Sequence, residues 1–368
     1  MDYDFIVAGG GLVGSSIAYG LARQKCRVAV LDGGDRSFRA SRGNFGLVWV
    51  QGKGWDYAPY ARWTGEAADL WPEFAQTLCN ETGTGIDYQR SGGMHFCLDE
   101  QEWGSRVQEM ETIRQHTGGS FEYEMLDHDQ LKKQIPQISD AVLGASYSPR
   151  DGHVNPLYLL QALQQGMNCH GVKYFPNQNI DKIEAKQGGF FAHASQGIVA
   201  AGAIILCAGL GNRRLGEMLD MDIPVLVDRG QIMITERLQP FLDLPTLHVR
   251  QTAEGTVQIG DSHEDVGLDD GTSPSVLQKI AHRAVTMFPF LARVKLVRAW
   301  GALRVLTPDH KPIYQQSKTC PGAFTVTCHS GVTLAAMHAG PVARWIAGNQ
   351  DAELIRQFGI DRFNVSQN

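Results

Sequence analysis

The sequence predicts an α/β chain in which a parallel sheet with packed helices is joined to an antiparallel sheet. Three stretches carry that prediction. Near the start, an apolar run over residues 5–8 meets Gly9-x-Gly11-x-x-Gly14, then a helical stretch over 12–23, then a second apolar run over 27–31 that ends in Asp32. In the middle, the fully apolar run 203–206 suits a central parallel strand, which is buried on both faces. Short runs at 225–235, 246–250 and 255–260 suit antiparallel strands, the last two as a hairpin.

In the first stretch each part has a physical job. Gly9 permits a tight turn, Gly11 lets the backbone approach a pyrophosphate, and Gly14 lets helix and strand pack closely. The N-terminus of the helix supplies free N–H groups and a positive dipole end for phosphates. Asp32, 18 residues after Gly14, can accept hydrogen bonds from a ribose diol. This is a Rossmann-like dinucleotide fingerprint. FAD and NAD share it, and its place at the N-terminus suits a flavoprotein.

Composition narrows the function classes. The chain has 368 residues, 43% hydrophobic and 20% charged, which suits a globular protein of two domains or one large interleaved one. A net charge of −6 gives no electrostatic case for nucleic acid. No apolar run approaches a membrane span, and the chain enters its first strand with no basic segment or cleavage site, so neither a spanning helix nor a signal peptide is expected. The expected location is the cytoplasm, with peripheral membrane association left open. Seven cysteines without a Cys-x-x-Cys pair read as reduced thiols, and no metal site is expected.

The remaining elements follow in order. Residues 33–36 read as a turn, and the loop 51–60, rich in glycine and aromatics, either lies over a site or carries Lys53 as a surface charge, the second reading being preferred. Helical spacing covers 58–79, 100–115 and 128–134, with Asp127 capping the last and Pro136 ending it. A strand is expected over 87–97, with Gly92-Gly93 inside it, and another over 145–149. The turn from Asp151 to Pro156 leads into a helix over 157–166; His153 within it reads as structural rather than as a catalytic base. Short strands at 173–175, 178–183, 190–194 and 197–201 look like a β-meander beside the parallel sheet, and Ala208-Gly209 turns the chain after the run 203–206. Helices are expected over 275–288 and 335–347.

Several of these segments resemble the D-amino acid oxidase family of FAD-dependent amine oxidoreductases, which includes glycine oxidase, sarcosine oxidase and small D-amino acid dehydrogenases. The resemblance is carried by the glycine fingerprint, by Ser41-Arg-Gly-Asn-Phe-Gly46, by Asp151-Gly, by Asp228-Arg-Gly-Gln231, by Trp300-Gly-Ala-Leu-Arg304-x-x-Thr-x-Asp309, and by His329-Ser-Gly-Val-Thr333. It implies FAD contacts at Gly9, Gly11, Leu12, Val13, Gly14 and Asp32, at Ser41, Arg42, Asn44 and Gly46 along the pyrophosphate and flavin, at Ile180 against the adenine, at Gly209, and at Gly331, Val332 and Thr333 by the pyrimidine edge. For the loop residues 41–46 the alternative is a capping role. Arg304 is implied to hold the substrate carboxylate in its planar fork. The alternative for Arg304 is a structural ion pair, with Asp309 as the candidate partner. His329 would lie near the flavin, in a positional rather than a proton-transfer role.

Two departures matter. Ala302 stands where monomeric sarcosine oxidases carry the cysteine that bonds the flavin, so non-covalent FAD is expected. Gln258 is the match for the lysine that those oxidases use toward oxygen. The implied reaction is hydride transfer from the amine-bearing carbon of a small amino acid, imino acid or N-substituted amino acid to flavin N5, giving an imine that hydrolyses. The electrons pass to oxygen or another acceptor. The alternatives are an FAD-containing subunit of a heteromeric D-hydroxyproline, opine or sarcosine dehydrogenase, a subunit with a purely structural flavin, and, least favoured, an NAD-dependent dehydrogenase. The expected division is 1–80, 146–220 and 299–368 for the FAD-binding domain, and 81–145 and 221–298 for the substrate domain. The place of Arg250 is open from the sequence.

Overall fold

The computed structural model describes residues 1–34, 39–349 and 353–363, so Asp35 and Arg36 of the expected turn, and the last residues of the expected domain range, lie outside the described residues. An eight-stranded sheet organises the first part of the structure. Its parallel strands lie in the order Ala323–Thr327, Gly197–Leu206, Tyr3–Ala8, Val28–Asp32, Lys173–Pro176, and Ile313–Gln316 adds an antiparallel edge.

The strand Gly197–Leu206 is two pieces of sequence logic in one element. Its first half pairs antiparallel with Gly189–Ala194, which pairs in turn with Ile180–Lys186; its apolar second half runs parallel to Tyr3–Ala8 and Ala323–Thr327. Residues 197–201 and 203–206 are therefore one strand, not two, because Ala201 pairs on both sides. Lys173–Pro176, expected within the meander, instead extends the parallel sheet beyond Val28–Asp32.

Helices Leu12–Arg23, Ala58–Thr82 and Pro156–Cys169 pack one face of this sheet together with the C-terminal helical run. That run, expected as one helix, has α-helical ends at Ala335–Met337 and Ala343–Ile346 and a π turn over His338–Val342. Pro341 in the turn has no N–H to give to the regular ladder. Leu12–Arg23 crosses it closely at Gly20, where a Cβ would come within 2.1 Å of the Ala339 carbonyl oxygen.

Two antiparallel sheets form the other part. One has the order Val249–Gln251, Thr256–Ile259, Leu226–Arg237, Leu296–Leu306; the other is Gly93–Cys97, Gly144–Ser148, Glu124–Asp127. They meet edge to edge at Met94, whose N–H donates to Pro245 O and whose carbonyl accepts from Leu247 N–H, both at 3.1 Å. Their shared core includes Phe96, Met233, Val257 and Phe288, closed by the helices Pro274–Met287 and His128–Gln134. Asp127 caps the second of these in a reciprocal box with Gln130. The strand expected over 87–97 forms only at Gly93–Cys97, because Asp87 (φ 53°) and Gly92 (φ 80°) are left-handed and break the extended run.

One strand links the two parts. Leu296–Leu306 pairs along its length with Leu226–Arg237, while Trp300 Nε1 donates to Gly43 O at 3.1 Å and Leu303 bridges Arg39. It thereby sets Trp300 and Leu303 against residues 39–43, and carries Ala302 and Arg304 beside them on the same strand.

Candidate active site

A cavity of about 290 Å3 starts at the C-terminal end of the central strands, where α/β sheets bind their ligands. It is lined by the turn Gly9–Val13, Asp32, Ser41, Arg42, Asn44, Ile180, Gly209, His329, Gly331 and Val332. The turn has no room for side chains. A Cβ on Gly9 (φ 106°) would lie 2.5 Å from Cys207 O, and one on Gly14 would lie 1.9 Å from Gly9 O. Asp32 Oδ2 accepts Gly10 N–H at 2.6 Å and its Oδ1 accepts Gly34 N–H at 2.9 Å, so the acid is fixed beside the turn. Ser41 Oγ accepts the Leu12 N–H at 2.9 Å, at the first turn of the helix.

A second cavity, of about 490 Å3, adjoins the first and shares Asn44, Val305, His329 and Val332 with its lining. Its walls include Gly46, Trp49, Lys53, Tyr60, Asp261, Ala302, Arg304, Lys311, Ser330 and Thr333. Arg304 is placed by its register partner Asp228, whose Oδ2 lies 2.7 Å from Nη1; Nη1 also donates to Ser262 O at 2.6 Å, and Nη2 pairs with Asp261. The expected partner Asp309 is occupied elsewhere, by Arg362 at 2.8 Å.

Both cavities lie within a single recognisable chain pattern. The model of the DAO family, described as FAD dependent oxidoreductase, matches residues 4–345. The chain belongs to this family. It is 41% identical over 367 residues to a subunit of the opine oxidase of Agrobacterium tumefaciens (strain Ach5), covering 100% of this chain and 99% of that one. It is 38% identical over 367 residues to the corresponding opine oxidase subunit of Rhizobium meliloti, with the same coverage. The solved glycine oxidase of Geobacillus kaustophilus has the same fold, with a TM-score of 0.89 at 22% identity, over 100% of this chain and 99% of that one.

For an FAD-dependent oxidoreductase the first cavity has the right character. Its glycine cradle admits a backbone-hugging diphosphate, a helix N-terminus faces it, and an acid stands at the end of the second strand. Asn44 is spent inside its own loop: Nδ2 donates to the Ala40 and Ser41 carbonyls and Oδ1 accepts Gly46 N–H. Gly46 (φ 83°) has Val154 O within 2.4 Å of a would-be Cβ. The Ile180 carbonyl accepts from Arg214 Nη2 at 2.7 Å, which ties the two residues together on the wall they both line.

The wall carrying residues 330–333 is held by the long helix Ala58–Thr82. Tyr60 OH lies 2.9 Å from Ser330 Oγ, and Trp71 Nε1 donates to Thr333 O at 2.8 Å. Between them Trp63 Nε1 donates to Tyr314 OH at 3.1 Å, and that hydroxyl reaches His338 Nε2 at 3.1 Å. Residues 60, 63, 67 and 71 recur at helical spacing, so one face of the helix fixes the wall. Thr333 Oγ1 completes the join by accepting Trp49 N–H at 3.1 Å.

Charge states follow from the surroundings of each group. His329 is exposed at the margin shared by the two cavities, and the crowding of protein atoms around it, then the Lys53 and Arg304 charges, push its imidazole well below the usual range and favour the neutral ring. Lys53 is not a surface charge: it is half-buried in the second cavity, and burial and the Arg304 charge bring its ammonium down to about 8. His153 and Arg250 line neither cavity. Arg250 is buried behind Gly46, donating to Val154 O at 2.7 Å and Gln258 Oε1 at 2.9 Å, with His153 Nδ1 at 3.3 Å. Gln258 thus serves Arg250 and lines neither cavity.

Sequence reading misses Tyr174, Asn179 and Arg214 in the first cavity and Trp49, Asp261 and Lys311 in the second. None is a specified position of a motif: Lys311 falls on an unspecified place before Pro312 in the C-terminal pattern, and Trp49 follows the loop Ser41–Gly46. Asp228, which places Arg304, does sit in one, but the pattern Asp228–Gln231 gives its acid no role.

Proposed function

We propose that the chain binds FAD non-covalently along the first cavity and oxidises the C–N bond of an N-substituted amino acid of opine type in the second, as one subunit of a heteromeric enzyme. The observation that carries the reading is the adjacency of the two cavities: the cation-bearing chamber and the glycine-lined one share Asn44, Val305, His329 and Val332 as lining, and Val305 is one residue from Arg304. The full-length likeness to the two opine oxidase subunits supports both the substrate class and the need for partner subunits.

In this reading Gly9, Gly11, Leu12, Val13 and Gly14 cradle the pyrophosphate, with Ser41 and Arg42 beside it. Asp32 takes the ribose hydroxyls and Ile180 meets the adenine. Gly209 would contact the cofactor where the chain turns after the central strand, while Asn44 and Gly46 would shape the loop that holds it. Gly331, Val332 and Thr333 face the pyrimidine edge, where backbone N–H groups favour negative charge. Bound FAD supplies the hydride acceptor. Ala302 puts a methyl group where a bonding cysteine would be needed, consistent with non-covalent attachment.

The protein's own tasks are to orient the amine and to keep water out. Arg304 receives a carboxylate on N–H groups that Asp228, Ser262 and Asp261 leave over. Neutral His329 walls the junction and positions the substrate without competing for its proton. The FAD-binding domain comprises 1–80, 146–220 and 299–368, and the substrate domain 81–145 and 221–298, with the strand Leu296–Leu306 shared between them. Among the described residues no helix is long and apolar enough to cross a membrane.

The test is a visible spectrum of the purified protein followed by anaerobic addition of an opine, sarcosine, D-proline and hydroxyproline. A flavin band bleached by the opine supports the reading, and the speed of recolouring in air separates oxidase from dehydrogenase. Bleaching that appears only when a co-expressed partner is present supports the heteromer. A protein that stays colourless after incubation with FAD overturns the proposal.

A further inference from the structure

The loop that carries Lys53 is clamped from beneath. Buried Gln51 donates from Nε2 to Asp151 Oδ2 at 2.6 Å, and its Oε1 accepts from Arg106 Nη2 at 2.8 Å and Ser146 Oγ at 2.6 Å. Asp151 Oδ1 accepts the Val50 N–H at 2.6 Å, and the Lys53 N–H donates to Val50 O at 3.0 Å. The lysine is therefore presented to the second cavity by a fixed backbone.

The other cations of that cavity are matched. Arg304 shares Asp228 and Asp261, with three of its five N–H groups engaged, and Lys311 pairs with Asp56. Among the described residues the Lys53 ammonium has no carboxylate within ion-pair distance. A cation drawn away from water without a counter-ion is unfavourable until an anion joins it. With Arg304 already bridged by two acids, Lys53 is the unspent positive charge in the chamber.

We propose that Lys53 is a second carboxylate-binding group, so that the cavity takes amines flanked by two carboxylates, one received at Arg304 and the other at Lys53. The inference rests on the second cavity being the amine-oxidising site. It adds a substrate feature, a dianion, and the residue that selects it.

The test uses FAD-loaded protein and two probes that cannot be oxidised at nitrogen, thiodiacetate and (methylthio)acetate, titrated by calorimetry and by the flavin spectrum. Wild type should bind thiodiacetate at least about 10-fold more tightly, the scale of one charge-assisted contact. Lys53→Met should bring the two affinities within about two-fold of each other while leaving that for (methylthio)acetate unchanged, and Lys53→Arg should restore most of the preference. FAD content and thermal midpoint equal to wild type show that Lys53→Met is folded. An unchanged preference in Lys53→Met overturns the proposal. So does an equal loss for both probes, which would place Lys53 on the carboxylate they share. If wild type with FAD bound takes up neither probe, the amine-site reading fails, and the proposal with it.

Discussion

Arg304 Nη1 and Asp228 Oδ2 lie 2.7 Å apart, on residues that face each other in register across the antiparallel strands Leu226–Arg237 and Leu296–Leu306. The pair makes the guanidinium a fixed feature of the cavity wall. An arginine held this way loses little freedom when it receives a carboxylate, which favours tight, oriented binding. Arg304→Ala should therefore lower kcat/KM by about 100-fold or more while FAD remains bound. Arg304→Lys, which keeps the charge and loses the fork, should fall between. Steady-state kinetics alongside the flavin-to-protein ratio checks both, and turnover with an unchanged KM in Arg304→Ala would remove the clamp assignment.

The cofactor cradle is tested at its narrowest point. The space above Gly14 is filled by the Gly9 carbonyl at 1.9 Å, with Cys207 Cβ at 3.2 Å behind it. A methyl group there must push the helix Leu12–Arg23 off the sheet. Gly14→Ala should abolish FAD retention, whereas Asp32→Asn, which keeps an acceptor at the ribose position, should weaken it by about 10-fold. Flavin absorbance after gel filtration reads out both. Full retention in Gly14→Ala would show that the turn yields.

How much of this is legible in the sequence depends on the range of the contacts that place each residue. The turn at Gly9, the acid at Asp32 and the helix between them are fixed by local order, so their spacing reveals them. Lys53 reads as a surface charge because its burial is decided by Gln51 meeting Asp151, 100 positions away, and Arg106, 55 away. Asp261 is invisible for the same reason: only the register of Asp228 with Arg304 brings its segment to the guanidinium. The single strand over 197–206 reads as two because its halves serve different sheet partners, and the sequence pattern changes at that point.

Lys53 sets a pH limb. Burial and the Arg304 charge press its ammonium down to about 8, against the opposing pull of Cys328 and Asp151. It is charged below that value and neutral above it. Affinity for a dicarboxylate should thus be steady at neutral pH and fall as pH rises through about 8, by up to about 10-fold per unit. A bound anion favours the charged form, so the limb in kcat should lie higher than the limb in kcat/KM. Lys53→Met should lose the limb and Lys53→Arg should move it out of range. A kcat/KM profile that is the same in wild type and Lys53→Met would detach Lys53 from binding.

Buried histidines predict an acid-side loss of stability. Burial brings His153 down to about 3, with Arg250 adding to the effect, and His338 to about 3, while the half-buried His248 is brought to about 4 by desolvation and then by the Arg283 charge. Two of them have a ring nitrogen with no hydrogen-bond partner, His153 Nε2 and His338 Nδ1, which leaves protonation nothing to gain in the fold. In the unfolded chain each takes a proton near pH 6.5, so between that value and the depressed one the unfolded state binds more protons. Stability is then full above about pH 6.5 and declines as pH falls, by about 1.4 kcal/mol per unit for each histidine. Near pH 5 each should cost about 2 kcal/mol relative to neutral pH. His338→Leu removes one titrating group while Trp63 still reaches Tyr314 OH, so its denaturant midpoint should depend less steeply on pH than that of wild type. Parallel slopes for the two proteins between neutral pH and pH 5 would mean that His338 takes up its proton equally in the folded and unfolded states, and the neutral, buried ring placed behind the cavity wall would have to be abandoned.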